Sequence, residues 1–228
     1  MAVLSVRAVT DLDTLYSSYW LSLLEPQLGA VVLADEDCTA EKFQEAISNY
    51  TPDKLVITGH GSPRGIEGWN GELVLNLGNA GLAAGMDCFL VSCSTYELAN
   101  AMRNAGARSV IFFTRELAWA SSGTSPASDT LDDDVQEFVH VIARTLVSYG
   151  PSEAYRAGHE FATQRALELQ MRGGEEAEER ATWLIWDRDH LGLLSDELAI
   201  VPEESAEPLF AAAVASFLSL LAVFVAFG

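Results

Sequence analysis

The chain has 228 residues, 49% of them hydrophobic, enough for one substantial domain with a buried core. It carries 33 acidic against 13 basic residues, a formal net charge of −20, and this excludes a nucleic-acid binder, which needs Lys and Arg for phosphate contacts. Its three cysteines, Cys38, Cys88 and Cys93, are too few for a disulfide framework, and their spacing contains no CxxC zinc pattern.

Lys42 and Lys54 are the sole lysines. Abundant acid with so little Lys predicts a solvated acidic surface suited to high salt, where self-repulsion is screened. Residues 1–7 lack the basic start, long apolar stretch and cleavage site of a secretory signal.

Residues 11–25 place Leu, Tyr and Trp at helical spacing and predict a helix. Ala30-Val31-Val32-Leu33-Ala34 predicts a strand, and a helix follows from Thr39, the expected N-cap, with Lys42 at its third position. Thr51-Pro52-Asp53 breaks it. Leu55-Val56-Ile57-Thr58 is an apolar strand that stops at Gly59-His60-Gly61-Ser62. Residues 64–76 read as a small hairpin excursion, in which Trp69 serves as a pocket wall or as a cover for the sheet. Cys88-Phe89-Leu90-Val91 is a second apolar strand, stopping at Ser92-Cys93-Ser94-Thr95. A helix over 96–104 ends at Gly106, and a buried strand follows over 109–114.

Residues 120–131 form a polar loop. Asp132-Asp133-Asp134 opens a helix, where acid suits the positive dipole end, with Val135, Phe138, Val139, Ile142 and Leu146 on one face. A further helix runs over 151–171, and Trp183-Leu184-Ile185-Trp186 predicts a late strand. His140 is expected in the core, His159 on the surface and His190 in a turn. Strands alternating with helices imply an α/β fold over residues 1–200. Its single, mainly parallel sheet of about six strands is covered by helices on both faces.

Residues 201–208 read as a short acidic linker. Residues 209–227 then run for 19 positions without a charge, Gly or Pro, close to the roughly 20 needed to cross a bilayer core. They predict a C-terminal transmembrane helix. With no N-terminal signal, the expected arrangement is a single-pass anchor in the cell membrane with the domain on the cytoplasmic side.

In a parallel sheet the two abruptly ending strands open into one crevice at their carboxyl ends. That brings His60 beside Cys93, the minimum apparatus for a thiolate nucleophile. His60 and the N-terminus of the helix from Tyr96 are expected to lower the Cys93 pKa, and His60 to protonate the leaving amine. The backbone N–H groups of Gly61 and Cys93 are expected to form an oxyanion hole. Asp129, Asp132 and their neighbours are candidates for holding a basic substrate side chain if the polar loop folds over the site. No cofactor or metal is called for.

These residues resemble the caspase-like cysteine peptidases, most closely the CHAT-domain and gingipain-like branch. Thr58-Gly59-His60-Gly61-Ser62 resembles the family's strand-terminal His-Gly, and Val91-Ser92-Cys93-Ser94-Thr95 its nucleophile segment. Ala105-Gly106-Ala107-Arg108-Ser109-Val110-Ile111 and Gly150-Pro151-Ser152-Glu153-Ala154-Tyr155-Arg156-Ala157 are similar to the segments that follow. The resemblance covers roughly residues 30–170 and implies a Cys–His dyad. Val91 stands where metacaspases carry an Asp, and Thr114-Arg115-Glu116-Leu117 replaces a Trp-containing stretch of CHAT domains. The expected function is a membrane-anchored cysteine endopeptidase acting on a protein or peptide substrate. The alternative is a catalytically silent adaptor that uses the same fold to bind a protein partner at the membrane.

Overall fold

A computed structural model describes residues 2–202. Its centre is a seven-stranded sheet. In chain order the strands and helices are β1 (Val3–Arg7), α1 (Leu12–Leu28), β2 (Val31–Ala34), α2 (Ala40–Tyr50), β3 (Lys54–Thr58), β4 (Gly61–Ser62), β5 (Gly65–Glu67) and β6 (Leu73–Asn76). They continue with β7 (Asp87–Val91), α3 (Tyr96–Asn104), β8 (Ser109–Phe113), α4 (Asp133–Tyr149), α5 (Pro151–Arg172), α6 (Glu175–His190), β9 (Leu191–Ser195) and β10 (Ala199–Ile200). The main sheet has the order β10-β9-β8-β7-β3-β1-β2. Strands β2, β1, β3, β7 and β8 run parallel, β9 runs against β8, and β10 pairs antiparallel with β9. Strands β4, β5 and β6 form a separate small sheet, the excursion that residues 64–76 predict.

The strands are apolar on both faces because both faces are covered. Val56, Phe89, Val91, Ile111 and Phe113 pack with α1 and α4 through Trp20, Leu24, Phe138 and Ile142. Leu55, Ile57, Cys88, Leu90, Val110 and Phe112 face the other way and pack with Phe43 of α2 and Leu98 and Met102 of α3. Helices α2 and α3 lie where their apolar spacing predicts. Thr39 caps α2 by accepting from the Lys42 N–H at 3.2 Å.

Two elements depart from the sequence reading. Strand β1 was not expected, yet Val3, Leu4 and Val6 are buried and β1 pairs with both β2 and β3. Residues 183–186 are helical, inside α6. Ala177, Ala181 and Leu184 are its buried apolar residues, at the i, i+4, i+7 spacing of a helix face, and the strand comes only afterwards as β9. His190, expected in a turn, ends α6 and is buried. His140 is in the core, its Nε2 2.7 Å from Trp20 O. His159, expected at the surface, is half-buried and stacks on Tyr155.

At the amino ends of the parallel strands Lys54 and Asp87 are buried in a polar cluster. The Asp87 carboxylate accepts from Lys54 Nζ at 2.6 Å, Arg108 Nη2 at 3.0 Å and Ser109 Oγ at 2.8 Å, tying β3, β7 and β8 together. Among the described residues no helix is long and apolar enough to cross a membrane. The apolar run 209–227 and all but the first two residues of the linker lie outside them.

Candidate active site

Register builds the site. β3 and β7 pair in parallel with Thr58 opposite Val91, so His60 and Cys93 each stand two residues past paired strand ends. Neighbouring strands lie about 4.8 Å apart. The two chain ends are welded there. The Ser92 hydroxyl donates to Gly59 O at 3.0 Å, and the Thr58 hydroxyl lies 3.0 Å from Val91 O and 2.7 Å from the Ser17 hydroxyl. The contact is tight enough to require glycine at position 61. A Cβ there would sit 2.1 Å from Cys93 O and 2.6 Å from Cys93 N.

Ser94, directly after Cys93, has φ +53°, a left-handed conformation that costs a non-glycine residue roughly 1–2 kcal/mol. Its N–H donates to Arg115 O at 3.0 Å, and the Thr95 N–H donates to Phe113 O at 2.9 Å. The chain thus turns sharply at the thiol and enters α3 at Tyr96.

A third strand end contributes a carboxylate. β1 runs beside β3 with Arg7 opposite Thr58, and four residues later Asp11 caps α1. Asp11 Oδ1 accepts from the Thr14 N–H at 3.0 Å, while the Thr14 hydroxyl accepts from the Asp11 N–H, a capping box. The other oxygen, Oδ2, lies 2.5 Å from His60 Nε2. Burial tends to raise the Asp11 pKa, but the Thr14 N–H and His60 outweigh it and hold the carboxyl below its usual range. A carboxylate accepts only, so it holds a proton on Nε2. In the neutral tautomer with its proton on Nε2, Nδ1 is the basic nitrogen.

His60 and Cys93 open onto a cleft of about 390 Å³. Asp13, Thr14 and Ser17 of α1 line it, with Gly61, Glu116, Leu117 and Trp119 among the other walls. Cys93 is half-buried, unlike the enclosed Cys38 and Cys88. Burial pushes its thiol pKa up. The Leu117 N–H pulls the other way, and the carboxyls of Glu116, Asp187 and Asp13 push it up further. Burial also pushes the Cys38 thiol up to about 12 and the Cys88 thiol higher still.

Of the candidate residues, His60, Gly61 and Cys93 come together at this cleft, and Trp69, Asp129 and Asp132 do not line it. Trp69 is exposed on the excursion after β5. Asp129 is buried and its Oδ2 accepts from the Tyr16 hydroxyl at 2.6 Å and the Ser122 N–H at 2.7 Å. Against the opposing effect of burial, these bonds and the Leu131 N–H keep its pKa low. Asp132 is 1% exposed and accepts from Trp20 Nε1. The sequence offers both carboxyls to a basic substrate side chain only if the loop folds over the site. The loop instead folds inward and spends them on Tyr16 and Trp20. These two rings pack on Trp119 at centroid distances of 5.9 and 5.1 Å, so Asp129 and Asp132 support a cleft wall from behind.

Asp11, Asp13, Glu116 and Leu117 are the site residues the sequence reading missed. Asp11 had one usable signal, an Asp just before an apolar helical run with Thr three residues later. Among the described residues no cluster of three or more potential metal ligands occurs.

No protein-family model matches the chain, and no curated protein matches it. Solved structures do. The complex of Porphyromonas gingivalis RgpB pro- and mature domains is 16% identical with a TM-score of 0.51, covering 88% of this chain and 48% of that one. The crystal structure of the Arg-specific cysteine proteinase gingipain R is 14% identical with a TM-score of 0.49, covering 88% and 47%. The chain spans about half the length of the chains it resembles. The first of these likenesses shows a caspase-like fold, with a mostly parallel sheet flanked by helices; it does not single out the CHAT branch.

Proposed function

We propose that this chain is a cysteine endopeptidase with Cys93 as nucleophile, His60 as general base and acid, and Asp11 orienting the imidazole. The observation that carries this reading is the register of β3 against β7. It sets His60 and Cys93 at adjacent strand ends on one cleft, with the Asp11 carboxylate on Nε2 of His60.

The chemistry follows from that arrangement. His60 Nδ1 takes the Cys93 proton as sulfur bonds to the substrate carbonyl carbon. The oxygen gains negative charge and is met by the Gly61 and Cys93 backbone N–H groups. His60 then gives the proton to the leaving nitrogen, the C–N bond breaks, and an amine departs from a thioester. Water, deprotonated by His60, cleaves the thioester, releases the acid and restores the thiol. Asp11 keeps the ring in the tautomer that this sequence needs. The acidic residues lining the cleft, Asp13 and Glu116, favour a substrate with a cationic side chain at the cleavage point. The 19 uncharged residues at 209–227 support anchorage of the domain to a membrane, with a protein of that surface as substrate.

One observation favours the second reading, a silent adaptor: burial and three nearby carboxyls all push the Cys93 thiol up, away from a resting thiolate. Incubating the full-length chain in mild detergent with peptides carrying Arg, Lys, Ala or Asp before the cleavable bond separates the two. Turnover of the Arg and Lys peptides, abolished in Cys93→Ala and His60→Ala, is expected. A folded protein that cleaves none of them, with both variants indistinguishable from it, leaves the adaptor.

A further inference from the structure

One buried group behind the cleft has no part in the chemistry above. Asp187, in the last turn of α6, is fully buried. Its Oδ1 accepts from the Ala118 N–H at 2.9 Å, and its Oδ2 is enclosed without a partner. Ala118 belongs to the strap that follows β8 and is tied beside Cys93 by the Ser94 N–H, which donates to Arg115 O at 3.0 Å. Glu116, Leu117 and Trp119 of that strap line the cleft.

The end of α6 grips the strap at two further points. Trp186 Nε1 donates to Glu116 O at 2.8 Å, and the Thr114 N–H donates to His190 O at 2.9 Å. Asp187 is the one side-chain carboxyl among these ties. A carboxyl wholly removed from water and facing no cation is costly when charged, and burial pushes its pKa well up. What the strap takes from it is the acceptor oxygen that receives the Ala118 N–H.

We propose that Asp187 is a positioning residue for the nucleophile, holding the strap through Ala118 so that Leu117 covers the Cys93 sulfur and Glu116 faces the cleft. The proposal rests on reading Cys93 as the nucleophile, but it concerns the resting thiol and can be read without turnover. With the strap in place the thiol is shielded from water and therefore hard to ionise. With the strap released, the sulfur is more exposed and ionises more readily, while the cleft loses the wall against which a substrate is oriented. Thiol reactivity and peptide turnover then move in opposite directions. General destabilisation also raises labelling and lowers turnover, but it exposes the enclosed Cys38 and Cys88 together with Cys93, whereas release of the strap alone leaves those two unlabelled.

The test uses the full-length chain and iodoacetamide, with alkylation of Cys93 followed by peptide mass mapping from about pH 6 to about pH 9. Cys38 and Cys88 are enclosed and stay unlabelled. Asp187→Ala is expected to label at least about five-fold faster than the parent, with its profile moved to lower pH. It is also expected to lower kcat/KM by about ten-fold or more, since small displacements at a reacting centre are costly. Asp187→Asn keeps the acceptor for Ala118 and is expected to restore the parental labelling profile. Trp186→Phe removes a second tie and is expected to move labelling in the same direction as Asp187→Ala by a smaller factor, which also covers an Asp187→Ala that does not fold. Asp134→Ala is the stability control. It breaks the pairs of Asp134 with Arg165 and Arg180 that fasten α4 to α5 and α6 away from the strap, and it is expected to lower Tm with the labelling rate per folded molecule unchanged.

Parental labelling in both Asp187→Ala and Trp186→Phe overturns the proposal. So does an Asp187→Asn that behaves as Asp187→Ala, or an Asp134→Ala that labels as fast as Asp187→Ala. Absence of peptide turnover in the parent defeats the peptidase reading alone and leaves the labelling comparison intact.

Discussion

A single carboxylate serves two neighbours at Asp11. One oxygen closes the first turn of α1 and the other holds His60. The two duties separate by mutation. Asn is as good an N-cap as Asp, so Asp11→Asn is expected to leave the urea midpoint nearly unchanged. Its amide, turned to His60 as a donor, moves the ring proton to Nδ1 and removes the base. A loss of about 10²-fold in kcat/KM is expected, measured on the best peptide. Asp11→Ala loses the cap as well, about 1 kcal/mol of stability. His60 and Cys93 were legible in the sequence because each ends an apolar run among small residues. Asp11 was not, because an Asp before a helix is an ordinary cap and its second partner lies 49 residues away. Asp129 and Asp132 misled for the converse reason, since a polar loop does not reveal that its acids turn inward to Tyr16 and Trp20.

Among the elements, the parallel strands are fastened at both ends by different chemistry. Their carboxyl ends carry the cleft, and their amino ends, roughly 13 Å away along five residues, carry the Lys54, Asp87, Arg108 and Ser109 cluster. Burial tends to raise the Asp87 pKa, but hydrogen bonds from Lys54, Ser109 and Arg108 hold it below the ordinary value of 3.8. A carboxyl whose folded pKa is depressed stabilises the fold above its unfolded pKa, and that contribution fades as pH falls through the folded value. Urea unfolding of the parent is therefore expected to weaken below about pH 4, and part of that loss disappears in Asp87→Ala. At neutral pH the same variant leaves Lys54 buried and uncompensated and is expected to cost about 3–5 kcal/mol, with kcat/KM per folded molecule preserved. Helices α2, α3 and α4 were legible because each has one apolar stripe. The run at 183–186 was not, because four apolar residues fit a helix or a strand equally and only their neighbours Ala177 and Ala181 decide. β1 escaped notice as five residues that include Ser5 and Arg7, although it joins β2 to β3.

For the whole molecule the dominant quantity is the net charge of −20. Self-repulsion of that size opposes the compact state and is screened by salt. Between about 0.1 and 1 M NaCl the Debye length falls from roughly 10 to 3 Å, and Tm is expected to rise across that range in thermal unfolding. The same screening weakens attraction of a cationic peptide to Asp13 and Glu116, so KM for Arg and Lys peptides is expected to rise while Tm rises. A Tm that stays flat or falls sinks the view that the acid excess is an adaptation to salt. The acid excess itself was fully legible in composition, whereas the share of it placed at the cleft required the fold.

The capping box of α1 also bears on how this chain loses function. Helix ends are the first parts of a fold to loosen, and the first turn of α1 is the turn that holds the imidazole in place. Gentle warming, a little chaotrope or a ligand gripping the exposed Leu12 and Leu15 frays that turn long before the sheet gives way. On the proposed chemistry, catalysis therefore fails early and reversibly in an otherwise intact molecule, and the amino end of α1 acts as a fuse.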